Sequence, residues 1–191
     1  MIYVESWPTT ASGPYLVDEE EADAMECSVV EDDGELRSHR PDPNHEMGRV
    51  AFVDGVRRAH AYLYQQINGR TVHGVAGAHG HGAVLCEPDA RPIYGRCNPA
   101  RLVVWGGGED APLPPQPGGW AWQVHSVAGE DPDAPLQGLQ RLMREAEGRL
   151  AEQLVEEGWL TVVDGPLNFV RSRDVAVVGY VKTHHRALLP A

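Results

Sequence analysis

Two segments of the chain share one design: a run of apolar residues that ends in Asp-Gly, first over Val50-Ala51-Phe52-Val53-Asp54-Gly55 and again over Leu160-Thr161-Val162-Val163-Asp164-Gly165. Apolar runs without polar alternation fit strands buried on both faces, and so ask for a sheet packed inside an α/β fold. Each strand delivers an Asp to an edge of the sheet, while the Gly lets the backbone turn or another group come close. Asp-Gly is also a common turn pair, so neither segment marks a site by itself. Side by side in one sheet, the two strands bring Asp54 and Asp164 together.

Between them the spacing predicts a helix from about Leu136 to Glu156, after the acidic, Pro-containing stretch Asp131–Pro135 and before Gly158. Its apolar stripe comprises Leu136, Leu139, Met143, Leu150 and Leu154. The wide gap between Met143 and Leu150 is filled in register by Glu147, whereas Glu145, Arg149, Glu152 and Glu156 fall on more solvent-facing positions. A carboxylate on the core side costs several kcal/mol unless something pairs with it. Asp54, Glu147 and Asp164 can therefore converge, and like charges so close raise one another's pKa unless a cation intervenes. Mg²⁺ or Mn²⁺ suits such oxygen ligands and supports phosphodiester hydrolysis. Lys182, ending the apolar strand DVAVVGYVK from Asp174, can steady a phosphate or developing charge.

Upstream, a strand over Val50–Val53, a second with alternation through Ala59, Ala61, Leu63 and Gln65 before an Asn68-Gly69 turn, and a third over Arg70–Ala76 are expected. The order of three strands, helix, strand, strand is that of an α/β fold with a mixed sheet and an antiparallel opening. Residues 74–82 are rich in Gly and His but lack GK[ST], and the strand-like AVLCEP follows, which excludes a phosphate-binding loop. His73, His79 and His81 are expected to be exposed in a Gly-rich turn rather than to bind metal. Gly106–Gly119 reads as a loop, and Trp120 and Trp122 as core residues before base-stacking or partner-anchoring ones. Residues 1–46 form an acidic N-terminal extension of short strands and mobile loops, with Asp18-Glu19-Glu20-Glu21 and Glu31-Asp32-Asp33; residues 47–191 form the domain proper.

A chain of 191 residues with 42% hydrophobic and 23% charged residues can bury a core, and no apolar run nears the ~20 residues of a membrane span. The start, MIYVESWPTT, lacks a secretory signal, so a cytoplasmic location without membrane attachment is expected. Cys27, Cys86 and Cys97 form no CxxC pair and are expected as reduced thiols. A net charge of −12 excludes a broad basic face for nucleic acid; contact with DNA must be local or shared with a partner.

VAFVDGVRR, MREAEGRLAEQL, LTVVDGPL and VAVVGYVKTHHRALLP resemble, in order, the successive motifs of NurA-like nucleases, over roughly residues 49–190. The resemblance implies an RNase H-like fold and Mn²⁺- or Mg²⁺-dependent hydrolysis of DNA in end processing or repair. It also implies a homodimer working with a HerA-type hexameric ATPase. On it, Asp54 matches the first-strand metal ligand and Asp164 the later strand-end ligand; Glu147 is the helix carboxylate, with Glu145 the next candidate. The family continues beyond the VK motif to contribute a further His, with which neither His184 nor His185 is equated, so the resemblance implies a chain short at its C-terminal end. The alternative is a catalytically weak or inactive NurA-like module that binds a motor ATPase or nucleic acid without cutting. A haloacid-dehalogenase-like site needs a second Asp two residues on, where Val56 stands, and a dinucleotide-binding domain needs a GxGxxG between strand and helix that is missing.

Overall fold

A computed structural model of the chain describes residues 1–6, 40, 42–44, 48–93, 99–171 and 176–181. Its elements are β1 (Ile2–Ser6), β2 (Val50–Ile67), β3 (Arg70–Glu87), β4 (Asp89–Pro92), β5 (Ala100–Trp105), β6 (Gln123–Ser126), α1 (Ala134–Glu156), β7 (Leu160–Asp164) and β8 (Val177–Tyr180). The strands form a single mixed sheet in the order β6-β5-β3-β2-β7-β8, with β1 paired to β2 and β4 to β3. The α/β class with an antiparallel opening is therefore as the sequence implies. Ile2–Ser6, on the extension side of the boundary at 46/47, are continuous with the sheet through their antiparallel pairing to residues 61–65 of β2. Among the described residues no helix is long and apolar enough to cross a membrane.

The centre of the sheet is a hairpin of two 18-residue strands, β2 and β3. They are joined through Asn68 (φ 51) and Gly69 (φ 81), both in the left-handed region that an Asn-Gly hairpin turn requires. Three expectations about this hairpin are corrected, the first being that the strands expected over Val50–Val53 and through Ala59–Gln65 are one, β2. The Gly/His-rich segment 74–82 is the middle of β3, not a turn, and His79 is buried within it. The missing side chains are what allow a strand there: a Cβ on Gly74 would strike the Trp105 ring, and one on Gly77 would lie 2.7 Å from both the Arg58 carbonyl and Leu139 of α1. The alternation Ala59, Ala61, Leu63 is also not one face. A register shift between Ala59 and Ala61 inserts His60 as a bulge. Ala59 consequently packs towards Val75, Val104 and Leu139, while Ala61 packs with Leu63, Val103 and Trp105.

Helix α1 covers one face of the sheet. Leu139, Met143, Leu150 and Leu154 of its predicted stripe are all buried, and Leu136 is half-buried. Its start places Pro135 in the first turn, and its end is closed by Gly158 (φ 86), whose N–H donates to the Val155 carbonyl while that of Trp159 donates to Leu154. Beneath its C-terminal half, Leu150 and Leu154 join Ala51, Val53, Trp159 and Val163 in one core. On the opposite face, at the β5–β6 end, residues of the Gly106–Gly119 loop and Trp122 cover Leu63, Val103 and Trp105, and Trp105 donates its indole N–H to the Ala111 carbonyl at 2.7 Å. Trp120 and Trp122 meet edge to face at 5.2 Å. Trp122 is thus part of the covering of this core.

The tight glycine positions give a stability test. Gly77→Val should cost about 1–3 kcal/mol by overpacking, read by urea denaturation. Gly80→Val, three residues on, should change stability by less than about 0.5 kcal/mol, because a Cβ there meets only Val56 at 4.0 Å.

Candidate functional site

The apolar runs become β2 and β7, which lie parallel and adjacent with Val50–Val53 opposite Leu160–Val163. The register ends at Val53 and Val163, so Asp54 and Asp164 follow at the same level on neighbouring strands. Asp164 is paired in turn to Tyr180 of β8, and Asp54 to Gly82 of β3. Ala51, Val53 and Gly55 are buried towards α1 while Phe52, Asp54 and Val56 are exposed. By the two-residue repeat of a strand, Asp54 and Asp164 share the sheet face that α1 does not cover. The Asp54 carboxylate accepts the N–H of Gly55 at 2.9 Å, and Asp164 is half-buried.

Glu147 arrives from the helix side and is 1% exposed. Its carboxylate occupies the space a side chain on Gly55 would need: a Cβ there would clash with Oε1 and lie 2.9 Å from Cδ. This explains the Gly after Asp54 by close approach, not by a turn, since Gly55 is inside β2 and has no left-handed φ. The Gly after Asp164 has the other cause, a left-handed φ of 93 that ends β7. Two identical dipeptides thus serve different purposes.

Sequence reasoning missed Arg144. One turn before Glu147 on α1, its guanidinium lies 3.2 Å from Glu147 Oε2 and donates a short hydrogen bond to the Asp164 carbonyl. It ties the helix carboxylate to the end of β7. The i,i+3 spacing of Arg144 and Glu147 was the available signal. The other oxygen, Oε1, is buried with no hydrogen-bond partner in the protein. Burial pushes the Glu147 carboxyl above its usual 4.5; Arg144 opposes this, and the negative charges of Asp54 and Asp164 add to it. Glu147 therefore senses the charge of both aspartates, although among the described residues no three His, Cys, Asp or Glu side chains are already drawn together as a cation cage.

Glu145, the next candidate after Glu147, points elsewhere and pairs with Arg141 at 2.9 Å. Lys182, His184 and His185 lie outside the described residues, as do Cys27 and Cys97; Cys86 is a free, half-buried thiol. His73 is half-buried with its ring 5.3 Å from that of Tyr64. No protein-family model matches the chain, and a search of curated proteins found no match.

The raised pKa of Glu147 has a definite sign for stability. Its folded-state value exceeds that of an unfolded chain, so its contribution is intact below about 4.5 and is lost as pH rises through the raised value. Glu147→Gln should remove this loss. In chelator, the melting temperature of the variant should gain on the parent as pH rises from 4.5. A gap that stays constant or reverses would mean that pairing with Arg144 outweighs burial.

Proposed function

We propose that the chain is a metal-dependent DNA nuclease of RNase H-like fold, hydrolysing phosphodiester bonds in DNA end processing or repair with a HerA-type ATPase, as the NurA-like resemblance implies. The observation that carries this reading is the placing of Asp54 and Asp164 at one level on adjacent parallel strands; Glu147 stands over Gly55 on the other face of the sheet. The strand order supports the fold assignment: β5, β3 and β2 are antiparallel neighbours, and β7 and β8 continue from β2 in parallel.

By chemistry the donor set suits a hard divalent cation, but the sheet divides it: Asp54 and Asp164 are on the open face and Glu147 on the helix-covered one. All its atoms are carboxylate oxygens, and one of them, Glu147 Oε1, is buried and unpartnered. Asp54 and Asp164 would hold Mn²⁺ or Mg²⁺ on the open face, where the ion would supply an activated water and stabilise charge on the phosphodiester oxygens; Glu147, expected as the third ligand, stands beneath Gly55 on the helix-covered face and would act on that site through its charge. Asp54 and Asp164 present charge on the open face, where a strand of DNA has access. Gly55 admits the helix carboxylate. Arg144 fixes that carboxylate relative to the end of β7 and offsets part of the cost of its burial. Lys182 belongs to this reading as a support for the phosphate.

The second reading, a weak or inactive module that binds a motor ATPase or nucleic acid, is favoured by one feature: Arg144 already gives Glu147 a positive partner. Asp54→Ala separates the two. Under the nuclease reading, Mn²⁺-dependent cleavage of labelled DNA falls by roughly 100-fold or more while partner binding persists. A parent protein that cleaves nothing with Mn²⁺ yet binds the ATPase or DNA supports the module instead.

A further inference from the structure

Basic and aromatic side chains gather at one place on the open face of the sheet, further along β2 from the acidic pair. Leu102 and Val104 of β5 face α1 while Val103 and Trp105 face the other way, so Arg101 belongs to the open face. Arg58 is on that face two positions past Val56, opposite Ala78 of β3, which is in turn opposite Arg101. The bulge puts His60 beside them, with its ring edge to face against that of Trp122 at 6.3 Å. Trp122 meets Trp120 at 5.2 Å, and the Arg101 guanidinium lies over the Trp120 ring at 4.5 Å.

The charge here is positive. Both arginines are exposed, and neither is paired with a carboxylate among the described residues. Burial and the charges of Arg58 and Arg101 depress the basicity of His60, with no acid among the causes. In a chain of net charge −12, two such arginines beside two indoles are a local exception. A guanidinium laid over an indole is held flat and keeps its outer face and its edge N–H groups for a partner. Phosphate takes those donors, and an unstacked base takes the flat surfaces. A duplex is gripped by more phosphate contacts than two arginines supply, and its bases are not free to stack on a side chain.

The sheet also provides a path. Opposite Arg58, Val56 and Asp54, the open-face residues of β3 are Ala78, Gly80 and Gly82. Nothing larger than a methyl group rises from that strip, and a Cβ added at Gly80 would meet only Val56 at 4.0 Å. From Arg58 back to Asp54 the strand rises by about 13 Å. A single strand held at the arginines can therefore lie along β3 and reach the aspartates.

We propose that Arg58, Arg101, Trp120 and Trp122, with His60, form a platform for single-stranded DNA, from which the strand runs over Ala78, Gly80 and Gly82 to Asp54 and Asp164. That the strand is DNA and that it leads to the carboxylates rest on the nuclease reading; the platform itself does not.

Fluorescence anisotropy of a labelled, mixed-sequence DNA oligonucleotide with the full chain in chelator, where metal-dependent cleavage is off, tests the proposal. The parent should bind the single strand more tightly than a duplex of the same length, and its affinity should fall as salt rises. Arg58→Gln and Arg101→Gln should each weaken binding by roughly fivefold or more and flatten the salt slope by about 0.7. Both are exposed, so they remain informative if Trp120→Ala, expected to weaken binding by a similar factor, does not fold. Arg91→Gln, an equal loss of charge at an exposed position of β4, should bind as the parent does. Asp54→Ala should also bind as the parent does. A protein that binds in this way and cuts nothing with Mn²⁺ sinks the nuclease reading and keeps the platform. The platform is overturned if the parent binds no single strand, binds the duplex at least as tightly or prefers an RNA strand of the same sequence. It is equally overturned if both Arg variants bind as the parent does, or if Arg91→Gln weakens binding as much as they do.

Discussion

A carboxylate in the seam of a helix is the constraint on which the arrangement around the site depends. Glu147 is as deeply buried as the leucines of its stripe, and desolvation is the first cause of its raised pKa. A position like this survives only where the neighbouring strand leaves room and something offsets the charge. Gly55 leaves the room, and Arg144 offsets the charge while gripping the carbonyl of Asp164. Helix, central strand and the end of β7 are thus locked together through a single acidic side chain.

The two faces of the sheet are treated unequally. One is covered by α1; on the other, among the described residues, the 106–122 segment covers the β5–β6 end. At the β7–β8 end it leaves Phe52, Val84, Val178 and Tyr180 exposed, in register across four strands with the half-buried Val162 and with Asp164. Among the described residues the acidic pair therefore borders an apolar surface. Under the proposed activity, attraction for DNA has to come from the bound cation or from basic residues away from the pair, such as Arg58 and Arg101 further along the same face.

Much of this was legible in the sequence because it rests on local rules. The Asn68-Gly69 turn needs two left-handed residues, and the helix needs its stripe, its Pro start and its Gly stop; each requirement leaves a residue signature. Glu147 was legible as a break in that stripe. What could not be read depends on partners distant in sequence. Gly74 and Gly77 look like turn residues until Trp105 and Leu139 are placed against them, and the bulge at His60 keeps the apolar spacing while exchanging the faces. Arg144 is an ordinary helix residue until β7 ends beside it. The buried histidines were misjudged for the same reason, since a strand was hidden behind glycine.

The long hairpin also divides the molecule by how it is closed. β2 and β3 meet through a two-residue turn, so the hairpin rests on pairings that cost little chain entropy. Asp54 and Asp164 stand at opposite ends of a long excursion through β3, β5, β6 and α1. Their adjacency closes the largest loop between paired strands of the described sheet. Whatever the acidic pair does, it is a property of the completed fold: no hairpin, helix or half of the chain contains it.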